Sequence, residues 1–192
     1  MRPDPTIASR LAGVVPEVPR DARLKPGPTS AEPYYNAGMY TPLLLLHSWL
    51  RWMVLLTGLF AVIRAIGGTT GNRRWTPADG KPGLYFIATL DLQFLIGLAL
   101  YLVFSPTVQV AFSNIGAAMR NPEYRFFVVE HTGGMLVAIV LAHIGRARSK
   151  NAKTDAARFK SAAIFYGLSL LIMLGSIPWP GMPAGRALFR GL

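Results

Sequence analysis

The stretch Pro42–Ile66, PLLLLHSWLRWMVLLTGLFAVIRAI, decides the reading of the chain. Its only charged side chains are Arg51 and Arg64. About 20 apolar residues in an α-helix cover the ~30 Å of hydrocarbon in a bilayer. A helix of this length on a soluble protein would keep a polar stripe, and this one barely does. Thr41 suits an N-cap with Pro42 at the first helical position, and Gly67-Gly68 suits a stop. A strand is excluded because lipid does not tolerate open sheet edges.

Three further blocks repeat this pattern, at about 83–104, 124–145 and 161–177. Pro82, Ser105-Pro106, Asn121-Pro122-Glu123 and Pro178-Trp179-Pro180 punctuate them. The expected fold is therefore all-α: an integral membrane four-helix up-down bundle over residues 41–180, its helices joined by short links. An extended, Pro-rich N-terminal arm (1–40) precedes it, and a short tail (181–192) follows. The basic start of the arm has no apolar core after it, so it does not read as a secretory signal. Thr107–Met119 reads as a short amphipathic surface segment, through Val108, Val110, Phe112 and Ile115.

Composition agrees with this. Of the 192 residues 52% are apolar and 15% charged, against roughly a quarter charged in a soluble domain. The net charge of +11 comes mostly from residues at the ends of apolar blocks, where anionic headgroups and the positive-inside rule put them. No basic stripe interleaves with aromatics in a soluble segment, so nucleic acid is not an expected partner. With no cysteine, disulfides, thiolate zinc sites, Fe–S clusters and covalent c-type haem are excluded.

The connections after helices 1 and 3 carry ten basic residues, among them Arg73, Arg74, Lys150, Lys153 and Arg158. The opposite side carries six near the membrane, namely Arg23, Lys25, Arg120, Arg125, Arg186 and Arg190. This bias expects both termini outside, in the periplasm if the membrane is a bacterial inner membrane. Lys150–Lys160 reads as a solvated basic link, and Trp49, Trp52, Trp75, Trp179 and Tyr124 as interfacial anchors.

Ionisable groups inside apolar blocks are costly and usually face the bundle interior. Here they are His47, Arg51, Asp91, Glu130, His131 and His143, with Gln93 as a further polar group. His47 lies about 7.5 Å along helix 1 and His131 about 10.5 Å along helix 3, counted from the same side. The two imidazoles are level, on helices that stand diagonally some 14 Å apart. That gap suits a b-type haem with His47 and His131 as ligands to its iron, and Gly58, Gly133 and Gly134 would give a flat macrocycle room. The plainer alternative is that each histidine hydrogen-bonds across helices.

His143, about 28 Å down helix 3, belongs with Arg146 and Arg148 among the headgroups. Met135 is a second candidate ligand or a core residue. Arg51 shares a face with His47, and Glu130 and Asp91 are the acids available to neutralise it. Asp91 with Gln93 reads either as a proton or quinone site or as a register-fixing pair with Arg51. No Ser/His/Asp order, phosphate loop or His-Glu-x-x-His motif points to an independent catalytic site.

Three stretches carry a resemblance: Leu46-His47-Ser48-Trp49-Leu50-Arg51-Trp52, Val129-Glu130-His131 with Met135, and Ser176-Ile177-Pro178-Trp179-Pro180. Over residues ~40–180 the chain resembles small four-helix bacterial membrane proteins catalogued as cytochrome-b-like. The resemblance implies that His47 and His131 belong to characteristic motifs. It does not extend to the two-haem respiratory cytochromes b, because His131 and His143 are twelve apart rather than thirteen or fourteen.

Two functions are expected from this reading. One is a membrane subunit of a respiratory or photosynthetic electron-transfer complex with haem b between His47 and His131, tuned by Arg51 and Glu130. The other is a haem-free accessory subunit in the lipid bilayer, stapled to a larger membrane-protein complex through residues 1–40. A solute carrier is disfavoured, since neither broken helices nor repeat halves are evident.

Overall fold

A computed structural model describes residues 37–190. The N-terminal arm therefore lies outside the described residues, apart from its last few, which begin the first helix. Helix α1 is Ala37–Thr70, and α2 is Lys81–Ala99, preceded by a 3-10 turn Pro77–Gly80 and continued by a π-helical turn Leu100–Phe104. Two short helices come next, α3 at Pro106–Ser113 and α4 at Ile115–Arg120. They lead into α5 (Pro122–Arg125), a π-helical turn Phe126–His131, and α6 (Thr132–Asn151). Helix α7 is Asp155–Ser176. Four segments are long and apolar enough to cross a membrane: Gly38–Thr70, Pro77–Phe104, Pro122–Asn151 and Asp155–Ser176.

The protein is an integral membrane four-helix up-down bundle. Helix α1 packs on α2 and α7, and α6 packs on α7 and more lightly on α2, so α1 and α6 stand diagonally. The distribution of side chains is that of a protein in lipid. Leu56, Leu95 and Leu171 are 61–66% exposed, while the core holds Val54, Ala61, Ala65, Ala138, Ala142 and Ala162 around Phe86 and Tyr166. Lipid tails are as apolar as leucine, so helix association there depends on close backbone approach and interhelical hydrogen bonds. The Thr57 and Thr89 hydroxyls lie 2.9 Å apart, and Ser169 donates to the Ala138 carbonyl at 2.8 Å.

The helices outrun their apolar blocks. Gly67 and Gly68 do not stop α1, and Pro42 lies inside it rather than at its start. Gly68 is small for a packing reason, since a Cβ there would run into the Phe159 ring. The turn comes at Asn72, in the left-handed region with φ 44°. The expected basic link Lys150–Lys160 shrinks to residues 152–154, because Lys and Arg are good helix formers. Thr154 caps α7 by accepting from the Ala157 N–H. In the segment after span 2, Val108, Ala111 and Ala118 are buried against Val128 and Tyr101, while Val110, Phe112 and Ile115 face outward.

Asp79 locks the first connection. Its carboxylate accepts from Arg64 (2.7 Å), Arg73 (2.8 Å), the Thr76 hydroxyl (2.7 Å) and the Thr76 N–H (3.0 Å). The Asp79 side chain is 2% exposed and the two arginines about 40%. Asp79→Ala leaves two guanidiniums and a turn without their common acceptor. The expected loss is about 2–3 kcal/mol, measured as a lower thermal midpoint by circular dichroism in detergent, with Asp79→Asn losing less.

Candidate functional site

His47 sits on α1, ten residues in from its start, and His131 ends the π-helical turn before α6. The extra residue in a π turn rotates the remainder of the helix, and such turns concentrate at functional sites. Here two of them, Leu100–Phe104 and Phe126–His131, lie at the same end of the bundle and both contribute to one cavity. The imidazole rings of His47 and His131 face each other across the diagonal, with centres 6.3 Å apart and planes at 72°.

Each ring is held. His131 Nδ1 lies 2.7 Å from the Ser176 carbonyl oxygen. A carbonyl only accepts, so Nδ1 carries the proton and Nε2 is left with a free lone pair. Phe126 and Phe127 flank this ring at 6.0 and 6.2 Å. On α1, Gln93 donates to the His47 carbonyl at 2.9 Å. The His47 ring lies against Gly97, where a Cβ would stand 2.9 Å from Cε1. His47 Nδ1, Gln93 Oε1 and Arg51 Nε are buried with no hydrogen-bond partner among the described residues.

The cavity between the rings measures about 180 Å³, more than the ~150 Å³ apolar cavity that admits benzene. Met135, Met173, Leu90 and Val54 line it together with Arg51, Arg186 and Arg190. A tail closes it. After Pro178-Trp179-Pro180 the chain turns back through Gly181, at φ 90°, and lies over α1. Arg51 donates to the Leu188 carbonyl at 2.6 Å, and the indole N–H of Trp49 donates to the Arg190 carbonyl at 3.1 Å. Phe189 stacks on Trp52 at 5.3 Å and tilts against Trp49 at 5.8 Å. Arg186 pairs with Glu123 and covers the Phe127 ring at 4.9 Å.

Of the residues expected at the site, His47, His131 and Arg51 line the cavity and Glu130 does not. Glu130 pairs with Arg125 at 2.7 Å on the outer surface, 46% exposed, because its place in the π turn directs it away from the bundle. Gln93 and Met135 line the cavity. Asp91 does not pair with Arg51; its partner is His143, at 2.9 Å. His143 is thus bonded to α2 rather than grouped with Arg146 and Arg148. Gly58 and Gly134 do not widen the cavity, since they back onto Phe86 and Ser176, and Gly133 has nothing within 4 Å.

The roles of the Ser176 carbonyl, Gly97 and the closing tail were missed by sequence reasoning. The turn signal Pro178-Trp179-Pro180-Gly181 was the one clue that the chain doubles back.

Two imidazoles this close, with a free Nε2 lone pair on at least one, could together hold a metal that a flat macrocycle carries. Among the described residues no group of three or more His, Asp or Glu side chains gathers to hold a bare ion. No family model, curated protein or solved structure matches this chain.

Phe189→Ala removes the ring that both tryptophans grip. The tail is expected to open more easily by about 1–2 kcal/mol, read as roughly tenfold faster amide exchange over residues 182–188. Unchanged exchange would show that its backbone contacts alone hold it.

Proposed function

We propose that the protein is a membrane electron-transfer subunit that binds one b-type haem between His47 and His131. We further propose that it belongs to a respiratory or photosynthetic complex in a bacterial inner membrane, with both termini on the periplasmic side. The observation that carries this reading is the 6.3 Å separation of two imidazoles that meet across the diagonal of the bundle. When bound, such a haem supplies a single-electron carrier inside the apolar part of the bilayer.

The chain's own residues support the reading in three ways. The Ser176 carbonyl holds His131 in the tautomer that presents Nε2, as second partners of metal-bound histidines do. Gly97 leaves the His47 ring room beside α2. Arg51, Arg186 and Arg190 also line the cavity, and guanidinium groups are fitting partners for the carboxylates such a group would carry. A porphyrin is several times larger than benzene, so its entry displaces the side chains that narrow the space. Met135 and Met173 are the most adaptable of these.

Protein expressed with sufficient haem is expected to give sharp reduced α and Soret bands on dithionite addition. His47→Ala and His131→Ala should each abolish them, and His143→Ala should leave them intact. Absence of bands from the wild-type protein ends this reading.

One observation favours the second reading, a haem-free accessory subunit beside larger membrane proteins. The Asp91–His143 pair lies within two spans with side chains 42% and 52% exposed, a costly placement against lipid that a neighbouring helix would relieve. On that reading the wild-type protein migrates in blue native gels of solubilised membranes within a larger assembly. Asp91→Leu with His143→Leu should then release it. Migration of the wild type as a lone bundle removes the accessory reading.

A further inference from the structure

At the opposite end of the bundle from the histidines, the starts of α2 and α7 meet the end of α6. A second cavity of about 260 Å³ lies there. Lys81, Arg146, Lys150 and Arg158 line it, each from the end of a membrane-length helix, and so does Ser149. None of the four cations is in an ion pair with a carboxylate among the described residues. Asp79 also lines the cavity, but Arg64, Arg73 and Thr76 already occupy its oxygens.

Two of the cations are oriented and still have donors to spare. Arg146 gives one N–H to the Gly80 carbonyl at 3.1 Å, and Arg158 gives its Nε–H to the Ala152 carbonyl at 3.0 Å. A guanidinium has five N–H donors. Ser149 supplies the independent sign of a missing ligand. It is 3% exposed, and its hydroxyl has no hydrogen-bond partner among the described residues. A helical serine ordinarily bonds back to the carbonyl four residues earlier, and Ser149 does not. An unsatisfied buried hydroxyl is destabilising, and an acceptor in the cavity would relieve it.

We infer that this cavity is a binding site for a phosphate-bearing anion. The Ser149 hydroxyl and the free guanidinium N–H groups donate to its oxygens, and Lys81 and Lys150 supply further charge. Four cations around one hydroxyl suit a tetrahedral oxyanion, and bidentate arginine is the usual partner of phosphate. The position at the helix ends, beside Trp75, matches the depth of lipid headgroups. The same chemistry would take a soluble phosphate arriving from the aqueous side.

The experiment uses the full chain, delipidated in a neutral detergent. Its thermal midpoint is measured with phosphatidylglycerol against phosphatidylcholine in mixed micelles, and with inorganic phosphate against chloride at equal ionic strength. A rise with phosphatidylglycerol alone supports the site and assigns it to a lipid headgroup. A rise with inorganic phosphate, with or without the lipid, supports it and assigns a soluble source. In Ser149→Ala and Lys150→Gln, each at a position bonded to nothing else and so expected to fold, half-maximal stabilisation should require at least fivefold more ligand. No rise with either ligand overturns the inference, as does a response from both variants equal to that of the wild type.

Discussion

An imidazole or guanidinium inside hydrocarbon has no water to bond, so the bundle must give it a partner or a cavity. Much of this architecture answers that requirement. His131 is met by the Ser176 carbonyl, Arg51 by the Leu188 carbonyl, and His143 by Asp91. Two of these three partners lie beyond or at the end of the fourth span, and this gives the chain after Ser176 its role. A backbone that simply left the membrane there would strand Arg51 and open the cavity to lipid.

The two halves of the bundle meet this constraint differently. Toward the basic end, Ala61, Ala65, Ala138, Ala142 and Ala162 let the helices approach closely, with Phe86 and Tyr166 filling the centre. The polar groups there are paired across helices, Ser169 with the Ala138 carbonyl and Asp91 with His143, and at the headgroup level Asp79 and its arginines close the first turn. Toward the other end both π-helical turns break the regular pitch, and Leu100, Tyr101, Phe127 and His131 border open space. Small side chains fill the diagonal at one end, and at the other a cavity lies beside the two histidines.

With a haem at one end and a phosphate at the other, as proposed, the two ends divide the labour. On that proposal the histidine end would offer imidazole nitrogens in a cavity that Arg51, Arg186 and Arg190 also line. The basic end offers cations and an unsatisfied hydroxyl at the depth of phosphates. The pair Asp91–His143 belongs to neither, since it lies on the outer surface of the second and third spans.

Four spans, their order and the level pairing of His47 with His131 were legible in the sequence. Apolar length measures hydrocarbon thickness, and helical rise converts residue number into depth. Which way a side chain turns around its helix depends on local pitch and neighbours, and there the one-dimensional reading failed. Glu130 was expected beside Arg51, but the π turn directs it outward to Arg125. Gly58, Gly68 and Gly134 read as spacers or stops, and each is small because a side chain on another helix presses against it. The last residues read as a tail. Only tertiary structure could show that Phe189 lies between Trp49 and Trp52 and that Leu188 accepts from Arg51, because those contacts join residues some 137 positions apart, and no local periodicity records them.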